Sequence, residues 1–179
     1  LLGILANMRG QWKELFREEF SRAVRRSPEI AGFVFDAHLC LAEFCLCGPA
    51  AHEEIVEYVR ELLTVAEAAE SVQGQALAEL LLGEVDLFAH RLAPAEEHLT
   101  AAARLYEQAR AVSGQAIAIQ RIAETAIAKG QRWRARRLLR RGLRLAREAP
   151  LAPHLTVRMH GAFVESARDL EAAVAAVEL

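Results

Sequence analysis

The feature that most limits what this chain can fold into is self-similarity at a spacing of about 40 residues. Gly74-Gln75-Ala76-Leu77-Ala78 returns as Gly114-Gln115-Ala116-Ile117-Ala118. Leu82-Gly83-Glu84 returns as Ile122-Ala123-Glu124, and Ala95/Leu99/Ala102/Leu105 as Ala135/Leu139/Gly142/Leu145. A fixed period of roughly 20–50 residues marks a stacked array, in which each unit buries its apolar face against the next. Function in such an array belongs to an extended surface rather than to an enclosed catalytic pocket.

Composition says what the repeating unit is made of. Of the 179 residues 53% are apolar but only 6% aromatic, with ten glycines and five prolines. An alanine- and leucine-rich chain with few breakers and few β-branched runs is all-helical. A net charge of −2 gives the molecule as a whole no drive toward nucleic acid or membrane. No apolar run reaches the ~18 residues that a membrane-spanning helix needs. Leu1-Leu2-Gly3-Ile4-Leu5-Ala6 is too poorly flanked to be a secretory signal and instead fits the repeat register. Cys40, Cys45 and Cys47 are odd in number and clustered, which argues for a reducing, cytoplasmic setting rather than a disulfide framework.

Each unit has the pattern helix, turn, helix. The expected hairpins cover about 30–72, 73–113, 114–153 and 154–179, preceded by a truncated one at about 1–29. Apolar positions predict helices over about 74–90, 94–111, 114–129 and 132–148. Turns are expected at His90-Arg91-Leu92-Ala93 and Lys129-Gly130-Gln131, with Ser113-Gly114 as a helix stop. Leu2-Gly3, Gly10-Gln11 and Phe16/Phe20/Ala23 keep the same offsets, so the chain is expected to open part-way through a hairpin, as a segment of a longer protein. Small residues at Gly83, Ala123, Ala95 and Ala135 are the expected points of close helix approach.

The order Leu82-Gly83, Ala95, Leu99, Ala102 resembles the tetratricopeptide repeat, which implies an α-α superhelix of antiparallel hairpins. Glu79 and Asp86 depart from it, standing where that repeat favours Trp and Tyr. The longer period, with Arg121-Ile-Ala-Glu-Thr-Ala-Ile-Ala-Lys-Gly-Gln131 and Ala135-Arg-Arg-Leu-Leu-Arg-Arg-Gly-Leu143 through Ala149 to Leu155, resembles the helical repeat region of large ATP-dependent LuxR-type (MalT-like) bacterial transcriptional regulators, in particular actinobacterial ones. That resemblance implies repeats lying between a nucleotide-binding module and a helix-turn-helix module, with an effector- or partner-sensing role. It also implies that the first helix of each hairpin lines a concave groove.

Three sets of residues are candidates for chemistry. Glu43, Glu84 and Glu124 share one register on successive first helices, with Asp36, Phe88 and Gln120 as groove neighbours. An acidic, partly apolar groove suits a basic or amphipathic protein segment, or a small amine-bearing effector. Against this, the glutamates are also consistent with solvated or locally paired side chains, such as Arg121 with Glu124 at i, i+3. The second set is a run from Arg132 to Arg147 that holds eight arginines and no acid. Its Arg136, Arg137, Arg140, Arg141 and Arg144 are expected to form a solvated or interdomain basic face. Direct nucleic-acid contact is not expected, because the run lacks aromatics beyond Trp133 and has no helix-turn-helix context. The third is His38/Cys40/Cys45/Cys47 with His52. Cys45 and Cys47 would stand about 200° apart on a helix, so no metal site is expected.

No phosphate loop, zinc-protease signature or nucleophile elbow is present. The expectation is therefore a non-catalytic segment that needs no cofactor. The alternatives are a general adaptor with a peptide groove, or a helical domain appended to an ATPase or kinase.

Overall fold

The computed structural model describes residues 52–68 and 70–148, together with 159, 161, 162 and 166. These residues form five helices: α1 (His52–Ala68), α2 (Val72–Phe88), α3 (Leu92–Gln108), α4 (Val112–Ala128) and α5 (Arg132–Glu148). Each is 17 residues long. Three-residue connectors separate them, so the repeat has a finer period of 20 residues per helix within the 40-residue hairpin.

The connectors explain why the period does not drift. Each of the first four helices ends in the same paired turn, in which the second connector residue takes a positive φ: Glu70 (51°), His90 (59°), Arg110 (55°) and Gly130 (73°). Its N–H donates to the residue three back and the next N–H to the residue five back, as in His90 to Leu87 and Arg91 to Asp86. All eight such bonds lie between 2.8 and 3.1 Å, and together they satisfy carbonyls that the helix end leaves open. The third connector residue then accepts the first bond of the following helix, as Ala111 does from Gln115. Ser71 adds a side-chain cap, its Oγ accepting from the Gly74 N–H at 3.1 Å, whereas α3 and α4 have no such cap.

The helices pack in sequence order, each on the next, and α2 also touches α4. In α1, α3 and α5 a single buried stripe keeps register across 40 residues: Ile55, Leu99 and Ala135 each belong to it, and positions 55/95/135, 59/99/139, 62/102/142 and 66/106/146 are all buried. The spacing of four, three and four residues is what one face of an α-helix requires. By contrast α4 is buried along most of its length, from Gly114 through Ala123. Met159 and Ala162 join the same core from beyond α5.

The expected glycine signals are corrected in one place. Ser113-Gly114 does not stop a helix, because α3 has already ended at Gln108 with Arg110 in the left-handed region. Gly114 lies in the first turn of α4, where a Cβ would stand 2.5 Å from the Tyr106 ring. Gly83 similarly leaves room for Leu99, whose Cγ would be 2.5 Å from an added Cβ. These glycines permit close approach, and three of the four turns place a side-chain-bearing residue at the strained position instead. Arg110→Gly or His90→Gly is accordingly expected to raise unfolding stability by about 0.5–1 kcal/mol, and Gly130→Ala to lower it by about 1 kcal/mol. Urea denaturation measures both; equal signs for the two changes would contradict the turn geometry.

Candidate functional site

Three places in the described structure depart from the apolar repeat: one buried, one exposed and one half-buried. The buried one lies where α4 meets α2. Leu80, Leu81 and Val85 of α2 have Gln120, Arg121 and Thr125 as their counterparts 40 residues on, while Glu84 and Glu124 match. Arg121 Nε donates to Glu84 Oε1 at 2.6 Å and an Arg121 terminal nitrogen donates to Glu124 Oε2 at 2.8 Å. The other Glu124 oxygen accepts from Gln120 Nε2 at 2.8 Å. The guanidinium also lies 5.6 Å from the centre of the Phe88 ring, within cation–π range. Thr125 closes the cluster by donating to the Arg121 carbonyl at 2.9 Å.

Burial decides what this cluster can do. The Glu84 side chain is 0% exposed and that of Arg121 5%, whereas Glu124 keeps 23%. Burial on its own disfavours the charged guanidinium, but the two carboxylates outweigh it and hold the Arg121 pKa above its ordinary value. Burial, with the Glu84 carboxylate second, pushes the Tyr106 phenol well up. Arg121 therefore stays a cation and Tyr106 a neutral phenol, which makes the cluster a fixed bracket between α2 and α4 rather than a proton relay. Gln120 is buried, and its Oε1 makes no hydrogen bond among the described residues.

The glutamate register is thus partly placed. Glu84 sits in the interior, tied to Arg121, and does not line an open groove as the repeat register led us to expect. Glu124 lies at the edge of the bracket, and Phe88 is 49% exposed. Glu43 and Asp36, like His38 and the three cysteines, lie outside the described residues. The i, i+3 pairing of Arg121 with Glu124 is present, but the longer reach to Glu84 carries the helix-to-helix link.

The exposed departure is α5. Arg137, Arg140, Arg141 and Arg144 are exposed and Arg136 is half-buried. Helix α3 supplies acids to the side of α5 that faces it: Glu96 pairs with Arg134 and Lys129, and Glu107 stands 3.6 Å from Arg141. Arg137, Arg140 and Arg144 form no ion pair among the described residues. A shallow open hollow at the start of the helix is lined by Gly130, Gln131, Arg132, Trp133 and Arg134.

A third cluster escaped sequence reasoning. His98 of α3 sits between two α2 carboxylates, with Nδ1 2.7 Å from Glu79 and Nε2 3.9 Å from Asp86, while Arg91 donates to Asp86 at 2.7 Å. One unit later the equivalents of Glu79 and His98 are Ile119 and Leu138, both apolar. That joint switch from polar to apolar was the available signal. It pins the α2–α3 hairpin. Among the described residues no group of three or more His, Cys, Asp or Glu is arranged to hold a metal ion, and no helix is long and apolar enough to cross a membrane.

No protein-family model, curated protein or solved structure matches this chain.

Two stability effects follow. Arg121→Leu, which installs the residue α2 carries at the equivalent position, strands Glu84 in the interior and is expected to lower stability by about 3–5 kcal/mol. Adding Glu84→Leu should restore more than half of that, as read by urea denaturation; a single variant as stable as the parent would mean the bracket carries no weight. The second effect concerns Glu96. Its carboxyl is held below the ordinary 4.5, first by the Arg134 hydrogen bond and then by that of Lys129. A carboxylate with a lowered folded pKa adds stability that is full above its unfolded value and lost as pH falls through the folded one. The margin of the parent over Glu96→Gln is therefore expected to be constant near pH 6 and to shrink below about pH 4.5 in acid titrations of stability.

Proposed function

We propose that this chain is a non-catalytic helical-repeat segment that acts by binding a protein partner or sensing an effector. The observation that carries this reading is the contrast between its inside and its outside. The buried stripe of α1, α3 and α5 keeps the same register three times, whereas exposed positions of the same helices change, as from Glu53 to Ala93 to Trp133. A scaffold whose interior repeats and whose surface diverges presents different chemistry at each step along its length. None of the three departures among the described residues supplies a nucleophile beside a base or an electrophilic centre, the minimum for a catalytic constellation.

The wider setting rests on the resemblance of 121–155 to LuxR-type, MalT-like regulators. In that setting the segment is a tetratricopeptide-like superhelix in the cytoplasm, joining a nucleotide-binding module to a DNA-binding one. Partner or effector binding would shift the equilibrium of the attached modules to the extent that it favours one of their arrangements. A general adaptor and a domain appended to an ATPase or kinase share the scaffold and differ in what flanks it.

Flanking sequence separates the three. The reading frame that contains this segment is expected to encode a phosphate-binding loop before it and a helix-turn-helix after it. A phosphate loop without the helix-turn-helix moves the assignment to an ATPase or kinase, and a frame with neither leaves the adaptor.

A further inference from the structure

We infer that the exposed stripe Trp133, Arg137, Arg140 and Arg144 on α5 is a docking surface for an acidic peptide segment of a partner protein; this rests on the reading of the chain as an interaction segment. The four residues are spaced by four, three and four, which puts them on one helical face. All are exposed, Trp133 at 75%.

Three observations set this stripe apart from an ordinary solvated face. First, the neighbouring helix has already neutralised the arginines it reaches. Glu96 takes Arg134 and Glu107 approaches Arg141, yet Arg137, Arg140 and Arg144 have no acid within ion-pair distance among the described residues. Like charges three and four apart on a helix repel, so the arrangement works against the helix until something anionic lies along it. Second, the repeat does not impose it. The equivalent stripe is Ala93, Glu97, Thr100, Arg104 on α3 and Glu53, Glu57, Arg60, Thr64 on α1, neither of which is basic. Third, the stripe ends on a large exposed indole beside the shallow hollow at the α4–α5 turn. Tryptophan and arginine are the side chains that most often anchor protein interfaces.

The chemistry of the occupant follows from the forks and from what surrounds them. Guanidinium groups bind carboxylates through paired, parallel N–H···O bonds. Three of them in line fit a segment that repeats an acid at helical spacing and carries an apolar residue to cover Trp133. A nucleic-acid duplex fits less well. It carries a phosphate every few ångströms along both strands, needs a basic surface wider than one helix, and would run onto the exposed Glu97 and Glu107 of α3.

The test uses the full chain with Trp12→Phe, which leaves Trp133 as the one tryptophan. The probe is a synthetic peptide with glutamates at i, i+3, i+4 and i+7 and one leucine beside them. Adding it is expected to shift Trp133 emission to the blue, with an affinity that falls as salt rises. Arg137→Gln, Arg140→Gln and Arg144→Gln together should weaken binding about tenfold or more, whereas Arg60→Gln, Arg104→Gln and Arg110→Gln, an equal charge change elsewhere on the surface, should leave it within about twofold. Equal weakening by both triple variants would overturn the stripe, since charge alone would then be responsible. So would tighter binding of a short DNA duplex than of the peptide. Salt-sensitive self-association in sedimentation, lost in the stripe variant, would overturn it too by making a second copy the occupant. A Trp133 signal that never moves removes this surface but not the repeat scaffold, whose assignment the flanking reading frame decides independently.

Discussion

The described architecture depends on a turn of constant length. Each connector has three residues: the first ends a helix, the second reverses the chain in the left-handed region, and the third both closes the old helix and opens the new one. Because one residue serves two helices, an insertion there would break hydrogen bonds on both sides. Seventeen helical residues amount to nearly five turns, so every helix leaves its connector with the same face toward the stack. The 40-residue period in the sequence is therefore a consequence of local backbone geometry. Side-chain packing then exploits a register that the turns have already set.

Packing shows how little freedom remains. Gly83 lies under Leu99 and Gly114 under the ring of Tyr106 at distances that admit no Cβ without movement. The buried positions of α1, α3 and α5 form one stripe apiece, while α4 is enclosed over most of its length. An enclosed helix can hold polar residues only if they satisfy one another, and the Gln120–Arg121–Glu124 group does so largely by reaching Glu84 across the stack. Three hydrogen bonds of 2.6–2.8 Å join six of the polar atoms of this group and Glu84. Such a bracket contributes less to net stability than leucines in the same places would, but it penalises any sliding of α2 along α4 that separates the charges.

Much of this was legible in the sequence. Repeat length and apolar spacing were enough to locate the helices of the described region to within a few residues, and the Lys129-Gly130-Gln131 turn stands where its glycine indicates. Ser113-Gly114 misled because glycine serves two purposes here, and only at Gly130 does it occupy the left-handed position. The other three turns hide that conformation behind Glu70, His90 and Arg110, which carry no turn signature of their own. The equal register of Glu84 and Glu124 was visible too, but not their different burial. That difference arises because Arg121 replaces the leucine of the preceding unit and reaches back 37 positions along the chain. The His98 pair with Glu79 was hidden for a related reason: its equivalents one unit later are apolar, so comparing units for motifs they share passes over it.

Those two departures, one buried and one half-buried, give a criterion for the exposed one. Where the chain replaces an apolar residue by a polar one between packed helices, it supplies a partner in the same neighbourhood, as Glu84 does for Arg121 and Glu79 for His98. On the α3-facing side of α5 the same holds, with Glu96 and Glu107 placed against Arg134 and Arg141. Compensation is thus the habit of this fold wherever a charge serves the fold itself. Among the described residues Arg137, Arg140 and Arg144 break that habit on one continuous face, in a helix whose two counterparts each carry one acid, one threonine and a single arginine there. Water screens the mutual repulsion of exposed cations, so the face is tolerable without a partner. Tolerance accounts for one stray arginine; three in register, next to an exposed indole, ask for a ligand that supplies the missing carboxylates.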